Sequence, residues 1–284
     1  MEHTTSTATA EYAAQIERWR RQMDEKLRAP DGWLTLIGLF WLAPGPNAIG
    51  ADPASAIVLP AGKAPERAGQ IDFDGLVATL RPLPGVPFTV NGQPAAEGPL
   101  RSDADAPPDV VGLGDIALHV IKRGERYGVR VRDGEHPARR LFGGRQWFAI
   151  QPEYCVPATF VAYDPPRPRP ITNILGDTND ELCPGYVRFE LGGQQLELEA
   201  SALPGGELEF VFRDGTSGKT TYPASRFLVA PQPRDGQTVL DFNKAYSPPC
   251  AFTDFATCPL PRPQNRLALA IAAGERYAPA EEHL

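Results

Sequence analysis

Tyr12, Ile16, Trp19, Met23 and Leu27 recur at intervals of three or four residues. That interval aligns side chains on one stripe of an α-helix. Glu11, Arg18, Arg21 and Glu25 fall on the opposite side, and Pro30 and Gly32 supply a stop. The pattern predicts one amphipathic helix, beginning near Ala8 and ending by residue 30, with its apolar stripe against a β-core. From Leu34 to Leu42 the chain is apolar without alternation, which predicts a strand buried on both faces. Gly45, Pro46, Asn47 and Gly50 then mark a turn.

The period changes after that. AIVLP, GQIDFDG, LVATLRPL, FTVNGQP, DVVGLGDIALHVIKRG and RYGVRVRD read as short strands, with Asn91-Gly92 as a tight turn. In IALHVIKR, Ile116, Leu118 and Val120 alternate with Ala117, His119 and Ile121, so one face is apolar and the other mixed. The spacing predicts a small β-sandwich over residues 33–133. It is similar to forkhead-associated sandwiches, but the sequence shows no phosphopeptide-reading motif. GEHPARRLFGG, residues 134–144, interrupts the pattern and marks a boundary. A second series follows: RQWFAI, YCVPATFVAY, RPITNILGDT, GYVRFELGG, QQLELEASAL, GELEFVFRDG and KTTYPASRFLVA. VRFELGGQQLELEA alternates about Gly192-Gly193 and reads as a hairpin with one buried and one wet face. The expected fold is therefore mainly β: an N-terminal helix (8–30), a small forkhead-associated-like sandwich (33–133), and a larger antiparallel meander or barrel-like domain (134–277). The last part of that domain, LDFNKAYSPPCAFTDFATCPLPRPQNRL, is irregular because its prolines stop regular structure.

Composition narrows the function. The chain has 284 residues and a formal net charge of -7, which argues against nucleic acid or an anionic membrane as partner. The N-terminus shows no basic region followed by an apolar one, and WLTLIGLFWLA is too short to span a bilayer. The expected location is cytoplasmic. The four cysteines, Cys155, Cys183, Cys250 and Cys258, form no CxxC pair, and a reducing compartment favours free thiols. His3 and His283 lie in expected tails, leaving His119 and His136, too few for a histidine-rich metal site. No metal and no cofactor are expected.

GWLTLIGLFWL, RSDADAPPD, VIKRGERYGVRVRD, FGGRQWFAI, DGTSGKTTYPASRFL and LDFNKAYSPPCAFTDFATCPLP, with NRL and AGE, resemble the bacterial family known as domain of unknown function 1684. The resemblance runs from about Trp19 to Glu275, with the C-terminal block its most specific part. It implies relatives but no activity.

The residues leave two readings of that block open. Catalytic signatures such as GxSxG, HExxH and GxxxxGK[ST] are absent. In the first reading the polar side chains are a clasp: a buried irregular segment needs partners for its backbone groups, and Asp241, Asn243, Thr253, Thr257 and Asn265 can supply them. In the second they form a site. Cys250 would be a nucleophile, Asp241 or Glu275 a general base, and Tyr246 an acid or oxyanion donor. Arg140, Arg145 and Arg226, with Asn243 and Asn265, would hold a small anionic molecule through planar guanidinium forks. The expected function is a small-molecule binder, or a cofactor-independent hydrolase or lyase, with its pocket in the C-terminal β domain. The alternatives are a protein-interaction module using the sandwich and a thiol redox protein using Cys250 and Cys258.

Overall fold

The computed structural model describes residues 2–105 and 107–277, with side chains from residue 9 onward; the His3 side chain and His283 therefore lie outside what is described. The chain divides into two compact units. One holds residues 1–26, 143–252 and 257–284; the other holds residues 27–142 and 253–256.

The helix α1 runs Glu2–Arg28, several residues longer at its start than the apolar stripe alone predicts. Ile16 is fully buried and Tyr12, Trp19 and Met23 are half-buried, while Glu11, Arg18, Arg21 and Glu25 are exposed. The stripe packs on the β-elements of its own unit. The Trp19 ring meets Trp147 edge-on at 5.6 Å and Tyr246 at 6.3 Å, and Arg20 donates to Phe148 O at 3.1 Å.

The unit of residues 27–142 is a sandwich of short strands: β1 (Leu36–Trp41), β2 (Gly45–Gly50), β3 (Ile57–Val58), β4 (Gly69–Phe73), β5 (Ala78–Pro82), β6 (Thr89–Val90), β7 (Gln93–Pro94), β8 (Gly98–Leu100), β9 (Val111–Leu113), β10 (Ile116–Arg123) and β11 (Arg126–Asp133). One sheet has the order β1-β11-β10-β9-β6-β7 and the other β3-β2-β4-β5-β8. Ile49, Ile71, Leu80, Leu118, Val129 and Val131 lie in the core of this unit. Asn91 takes a positive φ in the turn its Asn-Gly pair predicts. β1 differs from the expectation. It is an edge strand with Ile37, Leu39, Phe40 and Trp41 only half-buried, and the Arg126 guanidinium lies 3.9 Å over the Trp41 ring. Residues 137–142 hold a single helical turn, α2 (Ala138–Leu141).

The other unit contains β12 (Gln146–Trp147), β13 (Cys155–Thr172), β14 (Thr178–Leu191), β15 (Gln194–Glu199), β16 (Ser201–Ala202), β17 (Leu208–Phe212), β18 (Arg226–Ala230), β19 (Gln237–Asp241) and β20 (Glu275–Arg276). They form three antiparallel sheets, β15-β14-β13-β19, β16-β17-β18 and β12-β20. Among the described residues these sheets form a meander and do not close into a barrel. Phe189, Phe210, Phe212, Leu228, Leu240 and Phe242 belong to its core. Among the described residues no helix is long and apolar enough to cross a membrane.

Candidate functional site

The residues expected to act together are divided among separate local networks. Asp241 ends β19 and caps the short turn after it. Its Oδ1 accepts from Tyr12 OH at 2.8 Å and from Asn243 N at 3.2 Å. Asn243 is fully buried. Its Oδ1 accepts from Gln151 N at 3.0 Å and its Nδ2 donates to Gln151 O at 2.8 Å and Tyr12 OH at 2.9 Å. Burial and the Asp241 carboxylate hold the Tyr12 hydroxyl well above its usual pKa. Glu275, 4% exposed, accepts from Arg145 Nη1 at 2.5 Å and Ser247 N at 2.7 Å. Burial raises its pKa, with the Arg145 charge opposing. Arg145 also lies 4.6 Å over the Phe252 ring. Tyr246 packs edge-on against Phe227 at 5.8 Å, and burial raises its hydroxyl pKa.

Arg226 is 1% exposed. Nη1 donates to Asp214 Oδ2 at 2.5 Å and to Ile271 O at 3.1 Å, and Nη2 donates to Ala273 O. Gly274 lies against this fork with φ +79°; a Cβ there would meet Ala245 O at 2.3 Å and Phe242 O at 2.7 Å. Arg140 is placed elsewhere: it belongs to the sandwich unit, exposed on α2, 3.9 Å from Glu135. His119 and His136 belong to that unit too. Thr253 Oγ1 donates to Leu36 O at 3.0 Å. Asp241, Asn243, Arg145, Arg226 and Glu275 thus each hydrogen-bond to backbone groups or side chains of their own unit.

Cys250 and Cys258 do come together. Cys250 N donates to Cys258 Sγ at 3.2 Å, and Tyr222 OH donates to Cys250 O at 2.8 Å. All four cysteines are free thiols. A hydrogen bond from the Cys258 thiol, against the opposing effect of burial, lowers the Cys250 pKa. Among the described residues no group of histidine, cysteine, aspartate and glutamate is arranged to hold a metal ion.

An open cavity lies on the sheet built from β13, β14 and β15. β13 and β14 pair continuously except between Ala162 and Arg167, where Pro165 and Pro166 lack the N–H groups a ladder needs. Opposite this break a Cβ on Gly185 would come within 2.3 Å of Val161 O, so only glycine admits the close approach. Beside the break the Tyr163 ring lies 5.8 Å from Tyr186. Tyr186 is the cross-strand partner of Glu199 at the end of β15. Tyr163, Arg167, Tyr186, Glu197, Glu199 and Gln264 line a cavity of about 470 Å³, within the range of about 300–1,000 Å³ usual for small-molecule sites.

Glu199 is 5% exposed. Its Oε1 accepts from Tyr163 OH at 3.2 Å and from Arg169 Nε at 3.1 Å. Its Oε2 is buried and has no hydrogen-bond partner among the described residues. Asn265 fixes the Glu199 backbone: Oδ1 accepts from Glu199 N at 2.8 Å, and Nδ2 donates to Glu199 O at 2.9 Å and to Val211 O at 3.0 Å. Asn265, read from sequence as a ligand-binding residue, therefore positions a cavity residue and does not line the cavity. The cavity residues themselves were not singled out from sequence. The available signal was the hairpin register, which places Tyr186 beside Glu199.

The model of the family described as "Protein of unknown function (DUF1684)" matches residues 140–276, a shorter span than the resemblance read from sequence. Among solved structures, an uncharacterised protein of Haloarcula marismortui is 34% identical; the match covers 51% of this chain and 81% of that one, with a TM-score of 0.42. A forkhead-associated (FHA) domain studied for phosphothreonine-dependent interactions is 28% identical, covering 33% of this chain and 92% of that one, with a TM-score of 0.24. The FhaA FHA domain has the same identity and TM-score, with 33% and 97% covered. No curated protein matches the chain. Through residues 140–276 the chain belongs to the family of unknown function DUF1684.

Proposed function

We propose that the protein binds a small polar molecule in the cavity beside Tyr163, Tyr186 and Glu199. The observation that carries this reading is the unpartnered Glu199 Oε2 in a residue that lines the cavity. Leaving a buried acceptor without a donor is unfavourable by about 1–3 kcal/mol, and a ligand donor would offset that. Supporting it, two aromatic rings stand beside a few polar groups, the usual makeup of a ligand site. Binding is preferred to hydrolase or lyase chemistry because Asp241 and Glu275 are already committed to internal partners. The test is a ligand-observed NMR screen of the full chain against a library of small polar molecules. Hits that Tyr186→Ala abolishes support the reading; hits indifferent to Tyr186→Ala, or none at all, refute it.

A second reading, thiol chemistry at Cys250, is favoured by its contact with Cys258. It would use residues separate from those lining the cavity. Mass spectrometry after mild peroxide treatment tests it: a loss of two hydrogens joining Cys250 to Cys258 supports it, and an unchanged mass refutes it.

A further inference from the structure

We infer that the ligand of this cavity is a small hydroxylated carboxylate, its carboxylate on Arg167 and one hydroxyl donating to Glu199 Oε2. This rests on the reading of the cavity as a ligand site. The charges lining it are unevenly matched. Glu199 is paired with Arg169, and Glu197 with Arg188 at 2.7 Å. Among the described residues Arg167 forms no ion pair. Its guanidinium lies 4.2 Å over the Tyr163 ring, a contact that orients the group and leaves its N–H donors unused. A guanidinium held this way presents a planar fork to a carboxylate.

The other end of the ligand follows from Glu199. Oε2 needs a donor, and Arg169 already balances the charge of the carboxylate. A neutral hydroxyl meets the need. A second full cation would stand near both Arg167 and Arg169, and like charges in a partly desolvated cavity repel. Between the two polar ends Val161, Ala162 and the ring carbons of Tyr163 and Tyr186 line the cavity and offer apolar surface for the C–H side of a carbon chain. An anion lacking hydroxyls leaves Oε2 unsatisfied, and a polyol lacking a carboxylate leaves Arg167 unused.

Three six-carbon probes separate these contributions: D-gluconate carries both groups, hexanoate only the carboxylate, and D-glucitol only the hydroxyls. Isothermal titration calorimetry on the full chain is expected to show gluconate binding at least tenfold more tightly than either of the others. Arg167 is exposed, so Arg167→Met folds and should reduce gluconate to the affinity of glucitol. Glu199→Gln should reduce it to that of hexanoate. Hexanoate or glucitol binding as tightly as gluconate, or gluconate affinity unchanged in Arg167→Met, would overturn the inference. If that binding is lost in Tyr186→Ala, the cavity remains a ligand site with a different ligand class. Absence of gluconate binding also overturns the inference, and the library screen then decides separately whether the cavity binds anything.

Discussion

The side-chain amide of Asn265 closes on both backbone polar groups of Glu199, at 2.8 and 2.9 Å, 66 residues away in sequence. Asn243 does the same for Gln151, at 3.0 and 2.8 Å. Beside Glu199, at the end of β15, the amide takes the place of a strand neighbour; beside Gln151 it pairs an irregular segment. Asn265→Ala would remove the side-chain partner of three buried backbone groups, Glu199 N, Glu199 O and Val211 O, and Asn243→Ala that of two part-buried ones, Gln151 N and O. Each should lower stability in urea denaturation by about 2–4 kcal/mol. Only Asn265→Ala should also weaken ligand binding, because only Asn265 holds a cavity residue. Equal effects of the two on binding would show that the cavity does not depend on the Glu199 backbone.

Part of this arrangement is readable in the sequence. The stripe from Tyr12 to Met23 fixes which face of the helix is buried. The Gly192-Gly193 turn places Leu191 opposite Gln194, and counting outward places Tyr186 opposite Glu199. The burial of Glu199 is not readable that way. It depends on Asn265 and on Tyr163, which reaches the carboxylate through the ladder break at Pro165-Pro166. For the same reason Asp241 and Glu275 read as catalytic, and Arg226 as anion-binding, in one dimension. Tyr12 and Arg145, which bond Asp241 and Glu275, lie 229 and 130 residues away in sequence, whereas Asp214, which pairs with Arg226, lies 12 away. The edge position of β1 is likewise set by sheet order, which an apolar run does not encode.

Arg226 and Asp214 form a fully buried ion pair. Removing one partner from such a pair strands the other charge, at about 3–5 kcal/mol. Arg226→Met is expected to destabilise by that amount. Asp214→Asn should also destabilise. The double variant should lose less than the sum, because neither charge is then left alone. Thermal denaturation of the four proteins measures the coupling; additivity would show that the pair contributes nothing as a pair.

His119 sits opposite Arg130 on the neighbouring strand. Burial first, then the charges of Arg132 and Arg130, lower its pKa from the usual 6.5 to about 4. The unfolded chain therefore takes up a proton that the folded chain resists. The stabilising contribution is complete above pH 6.5 and is lost as pH falls from there through about 4. It amounts to about 3 kcal/mol. His119→Asn should flatten the stability profile across that window. An unchanged acid slope in the variant would assign the loss to other groups.

Glu209 lies on β17 opposite Ser201. Burial, with Glu181 nearby, raises its pKa. A raised carboxyl favours the protonated folded form, so its contribution is present in acid, below the unfolded value, and is lost as pH rises through the folded one. At neutral pH the carboxylate is a cost. Glu209→Gln keeps the shape and removes the charge, so it should raise the melting temperature at pH 8 and leave it nearly unchanged at pH 4. A melting temperature lowered at pH 8 would mean that the carboxylate has a stabilising partner in the fold.

Cys250 differs from the other thiols in its surroundings. Its pKa is lowered by the hydrogen bond from the Cys258 thiol, whereas burial raises those of Cys155 and Cys183. The thiolate is the reactive form, and Cys250 is only partly buried. Iodoacetamide at pH 7.5 should therefore alkylate Cys250 first, as read by peptide mass spectrometry. Cys258→Ser puts a shorter hydroxyl in place of the sulfur, which weakens that contact. It should slow alkylation of Cys250 several-fold and move its pH profile toward higher pH. If Cys250 reacts no faster than Cys155, or if Cys258→Ser leaves its rate unchanged, the neighbouring thiol does not activate it, and the second functional reading loses its chemical basis.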